Sequence, residues 1–83
     1  MYKVRIERKV QKKLEDISEP YYSKIKSALL ELADNPRPRG CKKLRGREAY
    51  RIRVSVYRII YEIFDDLLLI HVVELGHRKD IYN

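Results

Sequence analysis

Cysteine occurs once in these 83 residues, histidine twice, and glycine and proline three times each. The lone Cys41 cannot close an internal disulfide, which points to a reducing cytoplasm. No motif around it makes a nucleophile, so it reads as inert. Two histidines, one cysteine and scattered carboxylates show no metal-ligand spacing, and neither metal nor other cofactor is expected. Gly40, Gly46 and Gly76 stand too far apart to build a phosphate-cradling loop. No apolar run approaches the roughly 18 residues of a membrane span. A basic amphipathic helix with an aromatic face is also missing, which argues against a membrane surface. The start, Met1-Tyr2-Lys3-Val4-Arg5, enters a strand pattern directly and shows no signal-peptide apolar stretch. Repeats and low-complexity segments are absent as well. What remains is a single domain over residues 1–83, with a core small enough that a partner would add useful burial.

Positive charge is abundant and unevenly placed. The chain carries 19 Lys and Arg against 12 Asp and Glu, a formal charge of +7. Between Pro36 and Arg58 stand nine basic residues (Arg37, Arg39, Lys42, Lys43, Arg45, Arg47, Arg51, Arg53, Arg58) and one acid, Glu48. The remainder holds ten basic and eleven acidic residues, so the whole excess lies in that segment. Charge dispersed for solubility would not concentrate in this way. Concentrated charge attracts a polyanion and speeds encounter with it. Arg37, Arg39, Lys42, Lys43, Arg45 and Arg47 are therefore candidate RNA-binding residues.

Hydrophobic periodicity sets out the elements. Tyr2 to Ile6 reads as a short strand, and Val10, Leu14 and Ile17 recur at helical spacing from about Glu7 to Ile17. Ser18-Glu19-Pro20 breaks the chain and offers a serine cap and an early proline for a second helix. That helix carries Ile25, Ala28, Leu29, Leu32 and Ala33 as its apolar stripe and should end near Asn35, before Pro36. Pro36 to Gly40 is a basic extended linker, and Lys42 to Gly46 is a very short strand or a loop. Three strands follow, at about 49–54, 57–64 and 67–75. Ser55-Val56 and Asp65-Asp66 are short enough to close hairpins, so these strands should be antiparallel neighbours. The expected class is α+β: an N-terminal strand, a helical hairpin, and a small twisted antiparallel sheet packed on the helices.

Tyr50-Arg51-Ile52-Arg53 alternates at a two-residue period. Tyr50, Ile52 and Val54 should face the core, leaving Arg51 and Arg53 on the opposite face, roughly 7 Å apart along the strand. A face of repeated arginines suits phosphate. His71, between apolar neighbours, reads as a packed core histidine. His77 follows Gly76, where the last strand should end, and is bracketed by Arg78 and Lys79. RNA can be cleaved by its own 2′-OH attacking the adjacent phosphate, which needs cations for the oxyanion and groups to move two protons. Arg51, Arg53, Arg58 and Arg78 could supply the charge. Tyr82 and His77 could stack on a base or carry protons. The same residues would equally serve a non-catalytic RNA-binding sheet.

The ordered set of pieces resembles the RelE-type toxins of the RelE/ParE toxin–antitoxin superfamily. It comprises the strand–helix–helix start, Asn35-Pro36-Arg37, Lys43-Leu44-Arg45-Gly46, Tyr50-Arg51-Ile52-Arg53, Tyr57-Arg58-Ile59-Ile60-Tyr61 and the tail from Gly76-His77-Arg78 to Tyr82. The resemblance implies an mRNA endoribonuclease that works in the ribosomal A site without metal, together with a RelB-like antitoxin that wraps and silences it. Residue by residue it assigns catalytic roles to Arg51, Arg53, Arg58, Arg78 and Tyr82. Well-known members carry lysines where this chain has Arg51 and Arg53. Arginine stays protonated in proteins, so the cation role carries over while the general base is left open between Tyr82 and His77. ParE-like toxins share the fold but inhibit DNA gyrase, and the His77 to Asp80 tail resembles those too. An inactive module that only binds antitoxin or RNA is the third class.

Overall fold

The computed structural model describes residues 1–77, leaving residues 78–83 outside the described part. In chain order the elements are β1 (Lys3–Ile6), α1 (Arg8–Glu15), α2 (Tyr21–Asp34), β2 (Lys42–Lys43), β3 (Ala49–Val54), β4 (Tyr57–Phe64) and β5 (Leu69–His77). They form one five-stranded sheet of order β1-β5-β4-β3-β2 with both helices on one face. The architecture is α+β. The strands from β2 to β5 pair antiparallel, as the hairpin spacing predicts. β1 joins the outer side of β5 in parallel, Val4 opposite Ile70, which makes the sheet mixed.

The helices bury the residues that helical spacing picked out. Val10 and Leu14 of α1 and Ile25, Leu29 and Leu32 of α2 pack on Ile52, Ile59, Tyr61, Ile70, Val72 and Leu75 of the sheet. α1 is shorter than its stripe, with Ile17 lying beyond its end. At the start of α2 the serine cap does not form. The Glu19 carboxylate instead accepts from the Ser23 amide at 3.0 Å and the Ser23 hydroxyl at 2.7 Å. Tyr61 is fully buried, and its hydroxyl donates to the Pro36 carbonyl at 2.7 Å, which fastens the linker to the sheet. Burial pushes its phenol well above the ordinary value. No helix among the described residues is long and apolar enough to cross a membrane.

Two turns decide where the site residues fall. Ser55-Val56 closes the β3–β4 hairpin as a two-residue loop, with Ser55 at φ 57°. A left-handed first loop residue is the primed geometry that matches strand twist, and it ordinarily selects glycine. Ser55→Gly is accordingly expected to raise stability by roughly 0.5–1 kcal/mol. A urea titration with an unchanged or lower midpoint would refute this. The β4–β5 link departs from the expected two residues. Asp65–Leu67 forms a 3₁₀ turn and Leu68 adopts φ 50°, so the link runs over four residues. Leu67 and Leu68, expected in the strand, are 66% and 51% exposed in this turn. β5 therefore starts and ends two residues later than expected, which puts His77 inside the strand.

The turn is pinned by a polar network. Tyr2 Oη donates to Asp65 Oδ1 at 2.6 Å, and Arg37 Nη2 donates to Asp65 Oδ2 at 3.0 Å. Arg37 also donates from Nε to the Tyr50 hydroxyl at 3.3 Å and lies 5.2 Å over the Tyr50 ring. The Arg37 hydrogen bond, then that of Tyr2, holds the Asp65 carboxyl below its ordinary value. A depressed folded-state carboxylate stabilises above its unfolded pKa, and the contribution is lost as the pH falls through the folded value. Asp65→Asn should thus be less stable than the parent at neutral pH, and the two should converge in the acidic carboxylate range. Parallel thermal-melt curves over that range would remove Asp65 from this role.

Candidate functional site

The period-two pattern of β3 separates its side chains as expected. Tyr50, Ile52 and Val54 pack on the helical side, while Arg51 and Arg53 share the outer face. On β4, Arg53 stands directly opposite Arg58, and Arg51 opposite Ile60. Lys42 of β2 is opposite Arg51 and adds to the same face. Three guanidiniums thus come from two adjacent strands within one cross-strand neighbourhood, where facing residues lie about 5 Å apart. Gly76 is the cross-strand partner of Arg58 on β5.

This face is not uniformly solvated, contrary to what simple alternation predicts. Arg51 is only 7% exposed, and Ala49 and Ile60 beside it are buried as well. Burial, followed by the like charges of Arg53 and Arg58, lowers the Arg51 pKa. A buried arginine flanked by two like charges forms a site whose field favours an anion. At the hairpin tip, Arg53, Ser55, Val56, Tyr57 and Arg58 enclose a small recess of about 60 Å³.

The remaining sequence candidates distribute unevenly. Arg37 lies on the helical side, paired with Asp65 and stacked on Tyr50, so its charge is matched internally and it stands apart from the Arg51 face. Lys43 bonds the Arg47 carbonyl at 3.2 Å and pairs with Glu48 at 3.0 Å, which orders the loop rather than the arginine face. Arg39, Arg45 and Arg47 are exposed on the linker and loop. Arg78 and Tyr82 lie outside the described residues. His77 ends β5 directly opposite Tyr57, their ring centroids 5.7 Å apart, and so occupies the face opposite Arg58. It is a strand residue, not part of a loop. His71 is not a core histidine. It is half-buried on the outer face, with Nε2 3.2 Å from a Glu7 carboxylate oxygen and Nδ1 3.5 Å from one of Glu62.

Sequence reasoning passed over Lys13 and Tyr57. With Ile17, Leu75, Gly76 and His77 they line a pocket of about 250 Å³ at the end of β5. Lys13 Nζ donates to the Leu75 carbonyl at 3.2 Å, and the Tyr57 ring is held edge-on by Tyr21 at 5.7 Å. The tyrosine preceding Arg58 was a usable signal, because alternation places it on the other face.

Known proteins resemble this chain over almost its whole length. The family described as the ParE toxin of the type II toxin–antitoxin system, parDE, matches residues 4–82. A curated RelE-like toxin protein of Escherichia coli is 31% identical over 99% of this chain and 90% of its own length. Among solved structures, the archaeal RelE–RelB complex from Pyrococcus horikoshii OT3 aligns with a TM-score of 0.86 at 28% identity, covering 96% of this chain and 98% of that one. The isolated Escherichia coli RelE toxin aligns with a TM-score of 0.81 at 25% identity, covering 93% and 84%. With the family match and the sequence relative spanning nearly all of it, this chain belongs to the RelE/ParE superfamily of type II toxin–antitoxin toxins and is a RelE-type toxin.

Proposed function

We propose that this toxin is a ribosome-dependent mRNA endoribonuclease of the bacterial or archaeal cytoplasm. The observation that carries the reading is the convergence of Arg51, Arg53 and Arg58 on one sheet face, with Arg51 buried among like charges. Such a cluster is poised for a phosphate that gains charge. As the 2′-OH attacks, the pentavalent phosphorane carries more negative charge than the ground state, and fixed guanidiniums stabilise it preferentially. The chemistry needs no metal, because the guanidiniums meet the charge, one group accepts the 2′-OH proton and a proton is returned to the 5′-oxygen as its bond to phosphorus breaks. The product ends are a 2′,3′-cyclic phosphate and a 5′-hydroxyl.

A RelB-like antitoxin is the proposed partner, supported by the complex in which the Pyrococcus horikoshii relative was solved. An acidic antitoxin segment over the basic stretch from Arg37 to Arg58 would neutralise it and exclude RNA. The complex should weaken with salt and suppress cleavage.

The test is end-mapping of mRNA on translating ribosomes with the purified toxin. Cleavage should persist in chelator, at magnesium levels rebalanced to keep ribosomes intact, and leave cyclic-phosphate ends. Loss of cleavage under those conditions would reject the mechanism. The family match is described by its ParE members, and this favours gyrase inhibition as the second reading. Uncut mRNA together with inhibited DNA supercoiling would select it.

A further inference from the structure

We infer that the pocket formed by Lys13, Ile17, Tyr57, Leu75, Gly76 and His77 binds one nucleobase beside the phosphate held by the arginines, and prefers a base with a carbonyl edge. The inference deepens the nuclease reading and rests on it for the identity of the ligand as RNA. Its volume of about 250 Å³ falls below that of a drug-sized site and suits a single heterocycle. The walls fit a base. Ile17 and Leu75 are aliphatic, and Tyr57 and His77 are aromatic, the usual platform for an unstacked base. Beside the polar atoms of Tyr57 and His77, Lys13 supplies a fixed cation: it spends one of its three donors on the Leu75 carbonyl and keeps donors for a second acceptor. An ammonium rewards a carbonyl oxygen such as guanine O6, whereas adenine has no carbonyl.

Position links this pocket to the arginines. Tyr57 lines both the pocket and the hairpin-tip recess that contains Arg53 and Arg58. Tyr57 and Arg58 are adjacent on β4 and point to opposite faces, so the end of the sheet lies between the two sites. A nucleotide laid across this end would set its phosphate against the guanidiniums and its base against Lys13.

An NMR titration of the isotope-labelled toxin with guanosine 5′-monophosphate, adenosine 5′-monophosphate and inorganic phosphate tests the assignment. Guanosine monophosphate should shift the resonances of Lys13, Ile17 and Leu75, and bind roughly tenfold tighter than adenosine monophosphate, the worth of one charged hydrogen bond. Inorganic phosphate should move only the hairpin tip. Lys13→Met, on the exposed face of α1, should abolish the difference between the two nucleotides. Shifts confined to the hairpin tip for all three probes, or an undiminished guanine preference in Lys13→Met, would overturn the pocket. Base-dependent shifts alongside uncut ribosomal mRNA would uphold the pocket while removing the nuclease reading. Cleavage without any base-dependent shift would do the reverse.

Discussion

Arg58→Ala is expected to slow single-turnover cleavage of mRNA on translating ribosomes by about a hundredfold, as loss of one oxyanion donor typically does. Arg58 faces Arg53 across the β3–β4 pair and Gly76 across the β4–β5 pair, which places its guanidinium with those of Arg51 and Arg53. Its charge lies close enough to Arg51 to lower that guanidinium's pKa. The variant should keep a melting temperature near that of the parent, as expected of an arginine that acts on phosphate. A circular-dichroism melt showing an unfolded Arg58→Ala protein would make the arginine structural and void the kinetic result. A folded variant that cleaves at the parental rate would take Arg58 out of the site. Arg78→Ala should behave in the same way on the strength of the sequence pattern alone.

What could be read in advance follows from which interactions are local. The division of β3 into Tyr50, Ile52 and Val54 against Arg51 and Arg53 is a period-two property of six consecutive residues, and it holds in the structure. The apolar stripe of α2 is likewise local. The β4–β5 turn was misread because Leu67 and Leu68 continue an apolar run, and a leucine at φ 50° carries none of the glycine or asparagine signal that marks a turn. That two-residue error carried His77 from strand to loop. The neighbours of His71 come from the two strands that flank it, Glu62 on β4 and Glu7 at the end of β1, so they depend on the β1–β5 pairing across most of the chain. Arg37 meets Asp65 from 28 residues away, which converts a presumed RNA contact into an internal brace. Charge counting cannot separate such an arginine from Arg53, whereas the register does.

Tyr82→Phe should reduce single-turnover cleavage at least as much as the loss of Arg58, with RNA binding little changed. The argument starts from Arg51 and Arg53. Both remain cationic at any physiological pH, so neither can accept the proton of the attacking 2′-OH. The acceptor has to be a group that can lose a proton near neutrality, and a phenol among guanidiniums becomes easier to deprotonate. Histidine as a residue type titrates in the right range, yet His77 is placed opposite Tyr57, on the face away from Arg58. Tyr82, which the family pattern matches, is therefore the first candidate to test. A tyrosine that only stacks on a base would tolerate phenylalanine, because the ring is retained; a proton carrier would not, because the hydroxyl is the reactive group. General-base loss typically costs 10²- to 10⁴-fold, which is roughly the range expected here. Near-parental cleavage by Tyr82→Phe combined with an inactive His77→Gln would transfer the role to His77, reached around the end of the sheet. Normal cleavage in both variants would leave charge stabilisation by the arginines to account for most of the rate.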